Sequence, residues 1–149
     1  MSVLRLSNVH LAYGHHPLLA GVDLVLCGHS HCYERSHLIE GFYATPTLAT
    51  SGTFKDAGDG KRDGDGGYGK DYGPHAGVVY VVAGSSGKAT FWTDNSTVKF
   101  NPHPHPVMHH SELQLGSLVL DIDGNRLDAK FITSTGAVDD YFSIDKGPL

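Results

Sequence analysis

A short apolar run, Val22-Asp23-Leu24-Val25-Leu26-Cys27, stops at a glycine and is followed at once by two histidines in Gly28-His29-Ser30-His31-Cys32-Tyr33-Glu34-Arg35. The run has the length and β-branched content of a buried strand. Gly28 frees the backbone for a sharp turn, so the histidines fall where a strand ends. In extended geometry, residues at i and i+2 send their side chains to the same side. Imidazole is the commonest metal-binding side chain near neutral pH, and two rings at a strand end can each hold one ion of a pair about 3.5–4 Å apart. A polar loop with two ordinary histidines is the other reading, because a bare His-x-His carries little specificity. Tyr33, Glu34 and Arg35 face a substrate, or an Arg35–Glu34 pair fixes the loop and orients ligands from behind.

The octapeptide resembles the last motif block of the calcineurin-like metallophosphoesterases, and its Tyr33-Glu34-Arg35 ending resembles the purple acid phosphatase branch. Gly77-Val78-Val79-Tyr80-Val81-Val82-Ala83-Gly84-Ser85-Ser86-Gly87 is similar to the strand and glycine turn that follow in such enzymes. Gly116-Ser117-Leu118-Val119-Leu120-Asp121 and Asp140-Tyr141-Phe142-Ser143-Ile144 are similar to their closing strands. The resemblance runs from about residue 21 to the C-terminus. It implies that His29 binds one metal and His31 the other, in a dinuclear centre of iron with iron, zinc or manganese. The implied fold class is α+β and strand-rich, part of a four-layer α/β/β/α sandwich of which this chain supplies about one sheet. The implied substrate is a phosphate ester, and the implied location is secreted or periplasmic.

The rest of the family pattern is missing upstream. D-x-G, G-D-x-x-Y, G-N-H-E/D and V-x-x-H should precede G-H-x-H, yet the motif begins at residue 28 and no acidic residue precedes Asp23. The bridging aspartate and the iron-binding tyrosine therefore have no counterpart. Asp56-Ala57-Gly58, Gly64-Asp65-Gly66-Gly67-Tyr68 and Val107-Met108-His109-His110 match the shorter patterns in the wrong order. They read as coincidence, the first two lying in a segment rich in glycine and aspartate, with circular permutation as the alternative. His10, His15 and His16 lie upstream, and His15-His16-Pro17 superficially resembles a family metal-binding run, which leaves His16 as a weak metal candidate beside a surface-turn reading. The expectation is an incomplete single domain over residues 1–149, with a second chain able to donate the missing ligands.

Bulk properties narrow the partners. A net charge of −5 and a pI near 6.1 argue against nucleic acid held by bulk charge. No apolar run approaches the ~18–20 residues of a membrane span, and residues 1–12 lack the pattern of a signal peptide. Cys27 and Cys32 bracket the motif without indicating a disulfide framework. Asn95-Ser96-Thr97 is a glycosylation sequon relevant only in a secretory pathway.

Along the chain, strands are expected over residues 2–13, 22–27, 36–42, 78–83 and 138–144, and a hairpin over 117–123 and 126–133 with its turn at Asp123-Gly124-Asn125. Residues 13–20 read as a turn leading into about one helical turn. Residues 22–27 and 78–83 should be buried strands of one sheet, with His29 and His31 at its edge. Residues 44–76 read as a long Gly/Asp-rich loop, exposed and poorly packed over 55–73. Asp56, Asp59, Asp63 and Asp65 suggest a calcium loop, but the ligand order and closing glutamate of an EF-hand are absent. Asn101-Pro102-His103-Pro104-His105-Pro106 reads as a stiff connector, with adventitious metal binding as the alternative. Two functions follow: a two-metal phosphomonoester hydrolase, or a non-catalytic relative that keeps the sheet and a weak metal site.

Overall fold

The computed structural model describes residues 21–40, 53–73, 75–90 and 106–147. Among these the chain is strand-rich and contains no α-helix. Ten strands form: β1 (Leu24–Cys27), β2 (Tyr33–Ser36), β3 (Leu38–Ile39), β4 (Phe54–Asp56), β5 (Tyr68–Lys70), β6 (Val79–Ala83), β7 (Met108–Glu112), β8 (Gly116–Asp123), β9 (Arg126–Thr133) and β10 (Val138–Lys146). They make two four-stranded mixed sheets, ordered β1-β6-β2-β7 and β5-β10-β9-β8, with β3 and β4 as a separate ribbon. The strands thus serve two sheets, where the sequence led us to expect about one.

The core lies between the sheets. Strand alternation sends Val79 and Val81 of β6, Ala129 and Phe131 of β9, and Phe142 and Ile144 of β10 inward, and each is at least 99 % buried. Tyr33 of β2 stacks on Phe131 with ring centroids 4.1 Å apart, tying one sheet to the other. The inward phase of β10 also includes Asp140, which is fully buried and paired with the equally buried Arg35 of β2. Arg35 donates from Nε to Asp140 Oδ2 at 2.6 Å and from Nη2 to Oδ1 at 2.9 Å, a bidentate fork. Its Nη1 donates to Tyr68 Oη at 2.9 Å, and the Tyr33 hydroxyl donates to Asp140 Oδ2 at 2.8 Å. Arg35 therefore pairs with Asp140, not with Glu34: neighbouring strand residues face opposite sides, so Glu34 points out of the sandwich.

Several expectations are corrected. The Gly/Asp-rich segment is not an open loop, because it carries β4 and β5, and Tyr68 and Lys70 of β5 are buried. β5 pairs in parallel with β10, Ile144 opposite Tyr68. Between the strands, carboxylates cap backbone N–H groups: Asp65 accepts from Asp59 N at 3.0 Å, and Asp59 Oδ1 accepts from Lys61 N at 2.7 Å. These contacts give the aspartates a structural role with no cation needed. Gly60, at φ +68°, lies so close to the Tyr68 ring that a Cβ would come within 2.5 Å of it. Its carbonyl accepts from Ser143 N at 2.9 Å, which docks the turn on β10. Other residues here, Arg62 to Asp65 and Asp71 to Gly73, are exposed as expected.

The strand expected at 36–42 begins earlier, at Tyr33, and gives way to β3 after His37. The histidines after the proline connector lie in β7, where Glu112 pairs with Tyr33 and His110 with Arg35. β1 is half-buried at best, with Leu26 50 % exposed, whereas β6 alternates between buried valines and an exposed Tyr80. The hairpin and last strand form as expected, with β10 extending to Lys146. Residues 2–20, including His10, His15 and His16, lie outside the described residues, as do the sequon and residues 101–105.

Two predictions follow from the interior charges. Burial alone would raise the Asp140 carboxyl, but the hydrogen bonds and charge of Arg35, with the Tyr33 hydroxyl, hold it below the usual range. Asp140→Ala should cost about 3–5 kcal/mol, because it strands the Arg35 charge in the core. The depressed carboxyl contributes stability above its unfolded pKa of about 4, lost as pH falls further. Denaturant unfolding at a series of pH values checks both points, and a variant as stable and acid-sensitive as the wild type would refute them.

Glu112 behaves oppositely. Burial, then the neighbouring Asp139, pushes its carboxyl from 4.5 up to about 7, and His110 Nε2 lies 3.7 Å from Oε1. A raised carboxyl contributes stability below its unfolded pKa that is lost as pH rises through the folded one. Glu112→Gln should therefore raise the unfolding midpoint at about pH 8 and leave it nearly unchanged at about pH 4.

Candidate metal centre

The position of the histidines follows from strand order. β1 and β6 run parallel, with Cys27 opposite Val82, so their carboxyl ends share one edge. The next strand, β2, pairs antiparallel with the far side of β6, Tyr33 opposite Ala83. Residues 28–32 must therefore cross over the end of β6, spanning two strand spacings, about 9–10 Å. His29 and His31 sit on this arch, at the carboxyl edge of a parallel strand pair, where ligand sites in open α/β sheets gather.

Gly84, the residue after β6, lies directly under the arch. A Cβ there would stand 1.8 Å from the Ser30 carbonyl oxygen and 2.9 Å from its carbon. Gly84 N donates to Cys32 O at 3.1 Å, which pins the arch to the strand end below. The short span also forces His29 to a left-handed φ of +76°. That conformation costs a non-glycine residue roughly 1–2 kcal/mol, and such strain gathers at functional sites. Beside Gly84, Ser85 is fully buried and its hydroxyl has no hydrogen-bond partner among the described residues.

The His29 side chain is exposed and that of His31 half-buried. His31 Nδ1 lies 3.2 Å from Thr90 Oγ1, and Thr90 N donates to His31 O at 3.2 Å. Cys27 and Cys32 form no disulfide among the described residues. They flank opposite sides of β6, about two strand spacings apart, beyond the ~7 Å Cα separation that a disulfide tolerates. Burial first, then Glu34 and Cys27, push the Cys32 thiol up to about 11, so it is a poor nucleophile. Tyr33 and Arg35 face the core, while the half-buried Glu34 lies on the opposite face, its carboxyl raised by burial.

As a metal site the arch offers two imidazoles. Among the described residues no group of three or more His, Cys, Asp or Glu side chains is arranged to hold an ion, and His16 lies outside them. The donors suit zinc or iron, but a bridging carboxylate is not supplied by these elements. The roles of Asp140, Gly84 and Thr90 were missed by sequence reasoning. Asp140 left a signal there, as a charge in the inward phase of Phe142 and Ile144, and Gly84 another, as part of the glycine turn after Ala83.

Compared with protein-family models, curated proteins and solved structures, the chain matches none.

Gly84→Ala should destabilise the protein by about 1–3 kcal/mol, as overpacking does. It should also displace the backbone amide resonances of residues 28–32 while leaving those of the β8–β9 hairpin in place. Unperturbed resonances across the arch would show that Gly84 does not set its path.

Proposed function

We propose that this chain carries the His-x-His corner of a two-metal phosphoesterase centre, with His29 holding one metal and His31 the other. The observation that supports this reading most is the placement of the Gly28-His29-Ser30-His31 segment on a tight arch at the carboxyl edge of a parallel strand pair. On the same reading the two sheets belong to a four-layer α/β/β/α sandwich. A metal pair bound there would supply an activated water and a clamp for the oxygens of a phosphate monoester. The protein's part is to fix the rings: Gly84 and Thr90 hold the arch, while Tyr33 and Arg35 anchor the strand that leaves it. No reaction step is assigned to these residues alone.

A second reading is favoured by the ligand count. Two neutral ligands fall short of the three protein ligands usual at catalytic zinc. Two cations a few ångströms apart also repel strongly without an anion between them. The chain by itself is then a non-catalytic sheet with a weak metal site, and carboxylates come from outside the described residues or from a second chain.

The test is to purify the 149-residue chain, add iron, zinc or manganese, and measure metal content and hydrolysis of an activated aryl phosphate beside His29→Ala and His31→Ala. We expect weak binding reduced in both variants, with hydrolysis near background. Two tightly held metals and turnover abolished in each variant would refute the non-catalytic reading. Binding unchanged in both variants would remove the arch from any metal role.

A further inference from the structure

We propose that β8 pairs edge to edge with β8 of a second copy of this chain, antiparallel about a two-fold axis at Leu120. The inference is independent of the metal reading. β8 is eight residues long and stands at one end of the β5-β10-β9-β8 sheet. It contains no proline, lysine or bulge, the devices with which proteins commonly blunt an open edge. Ser134 N donates to Leu115 O at 2.7 Å, so Gly116 and Thr133 form a non-hydrogen-bonded pair. Bonding alternates from there along the strand. Ser117, Val119, Asp121 and Asp123 bond β9, while Leu118, Leu120 and Ile122 turn their N–H and C=O groups to the open side.

The side chains repeat that division. Leu118, Leu120 and Ile122 lie opposite Phe131, Ala129 and Leu127 of β9, in the phase that faces the core. Leu118 packs on the core, but Leu120 and Ile122 stay 37 % and 58 % exposed, an apolar row that runs past its cover. A second β8 centred on Leu120 sets Leu118 opposite the partner's Ile122, and the two Leu120 side chains opposite each other, so the two rows become one. The outer face selects this register by charge. There Val119 lies beside the exposed Lys130, and Asp121 lies opposite Asp128, a like charge. Across the axis Val119 meets the partner's Asp121, which puts Lys130 two strand spacings, about 9–10 Å, from that residue. The lysine side chain leans over Val119 to reach the carboxylate, twice per dimer by symmetry. An axis at Asp121 would instead set two aspartates face to face. An axis at Val119 would set Asp121 against the partner's Ser117, away from Lys130. One strand per copy falls short of the ~1,200–2,000 Å² of a stable interface, so the dimer dissociates on dilution.

The experiment follows the full chain by sedimentation velocity and amide exchange across a wide range of concentration. Monomer and dimer should interconvert. The amides of Leu118, Leu120 and Ile122 should gain protection as concentration rises, while those of Val119 and Asp121 stay protected throughout. Leu120→Lys, which sets two cations on the axis, should abolish the dimer. Lys130→Glu and Asp121→Lys should each weaken it about 2–30-fold, the loss of two symmetric exposed ion pairs. Combining those two changes re-forms each pair with its signs reversed and should restore association. Unfolding midpoints of dilute samples establish that each variant is folded, and the charge changes decide the matter if Leu120→Lys is not. A chain monomeric at every concentration overturns the proposal, whether the three amides exchange freely or another segment of the chain protects them at all dilutions. A dimer indifferent to Leu120→Lys, or one that the combined change fails to restore, overturns it too.

Discussion

The Arg35–Asp140 pair holds the two sheets in one relative position, and the arch depends on that position. Neither residue is exposed at all, so both charges have given up water at a cost of several kcal/mol each. The geometry offsets the loss with three hydrogen bonds from the guanidinium, a fourth contact from the Tyr33 hydroxyl and the Phe142 ring 4.9 Å beneath the guanidinium carbon. Lys61 adds a weaker approach to Asp140 Oδ1 at 3.8 Å. Such a network has one good arrangement, because any slip of β2 against β10 leaves a charge unpaired in the core. β2 is also the strand that leaves the arch. The fork that locks the sandwich therefore fixes where the chain must land after crossing β6.

The arch itself is specified from below. Two parallel strand ends and an antiparallel return leave five residues to make the crossing, and the Gly84 backbone occupies the space where a side chain would otherwise stand. Strain falls on His29, whose left-handed backbone is held by the fixed ends on either side. The arch combines a constrained main chain with rings at least partly open to solvent. A site benefits from that combination, since its supporting shell sets how well the groups stay in place.

How much of this was legible in the sequence follows from how local each signal is. The β8–β9 hairpin was, because alternation and a Gly-Asn turn act within about eighteen residues, as were the apolar runs of β1 and β6. β7 was not: Met108-His109-His110-Ser111-Glu112 has no apolar period, and it becomes a strand through pairing with β2. β5 was hidden in the same way, since Tyr68-Gly69-Lys70 sits amid glycines and owes its form to β10 and to the Arg35–Tyr68 contact. Of the candidate site, the histidines were legible and their support was not. Gly84 and Thr90 matter because strand order places them near the arch, and strand order is a property of pairings distant in sequence.

The acidic groups show why a bridging ligand is scarce within the packed strands. Asp140 is committed to Arg35, and Asp23 to Lys70 and Lys146 at 2.9 and 3.1 Å. Asp128 is held below the usual carboxylate range despite its partial burial, by Arg126 and the Ser143 hydroxyl. Asp59 and Asp65 are engaged by backbone N–H groups. Moving any of these carboxylates to a metal would leave a cation or a backbone donor without its partner, a penalty of about 1–3 kcal/mol even for a neutral group. The fold has thus spent these carboxylates on its own cohesion. A metal pair at this edge would require anionic ligands from elements other than the strands that hold the arch in place.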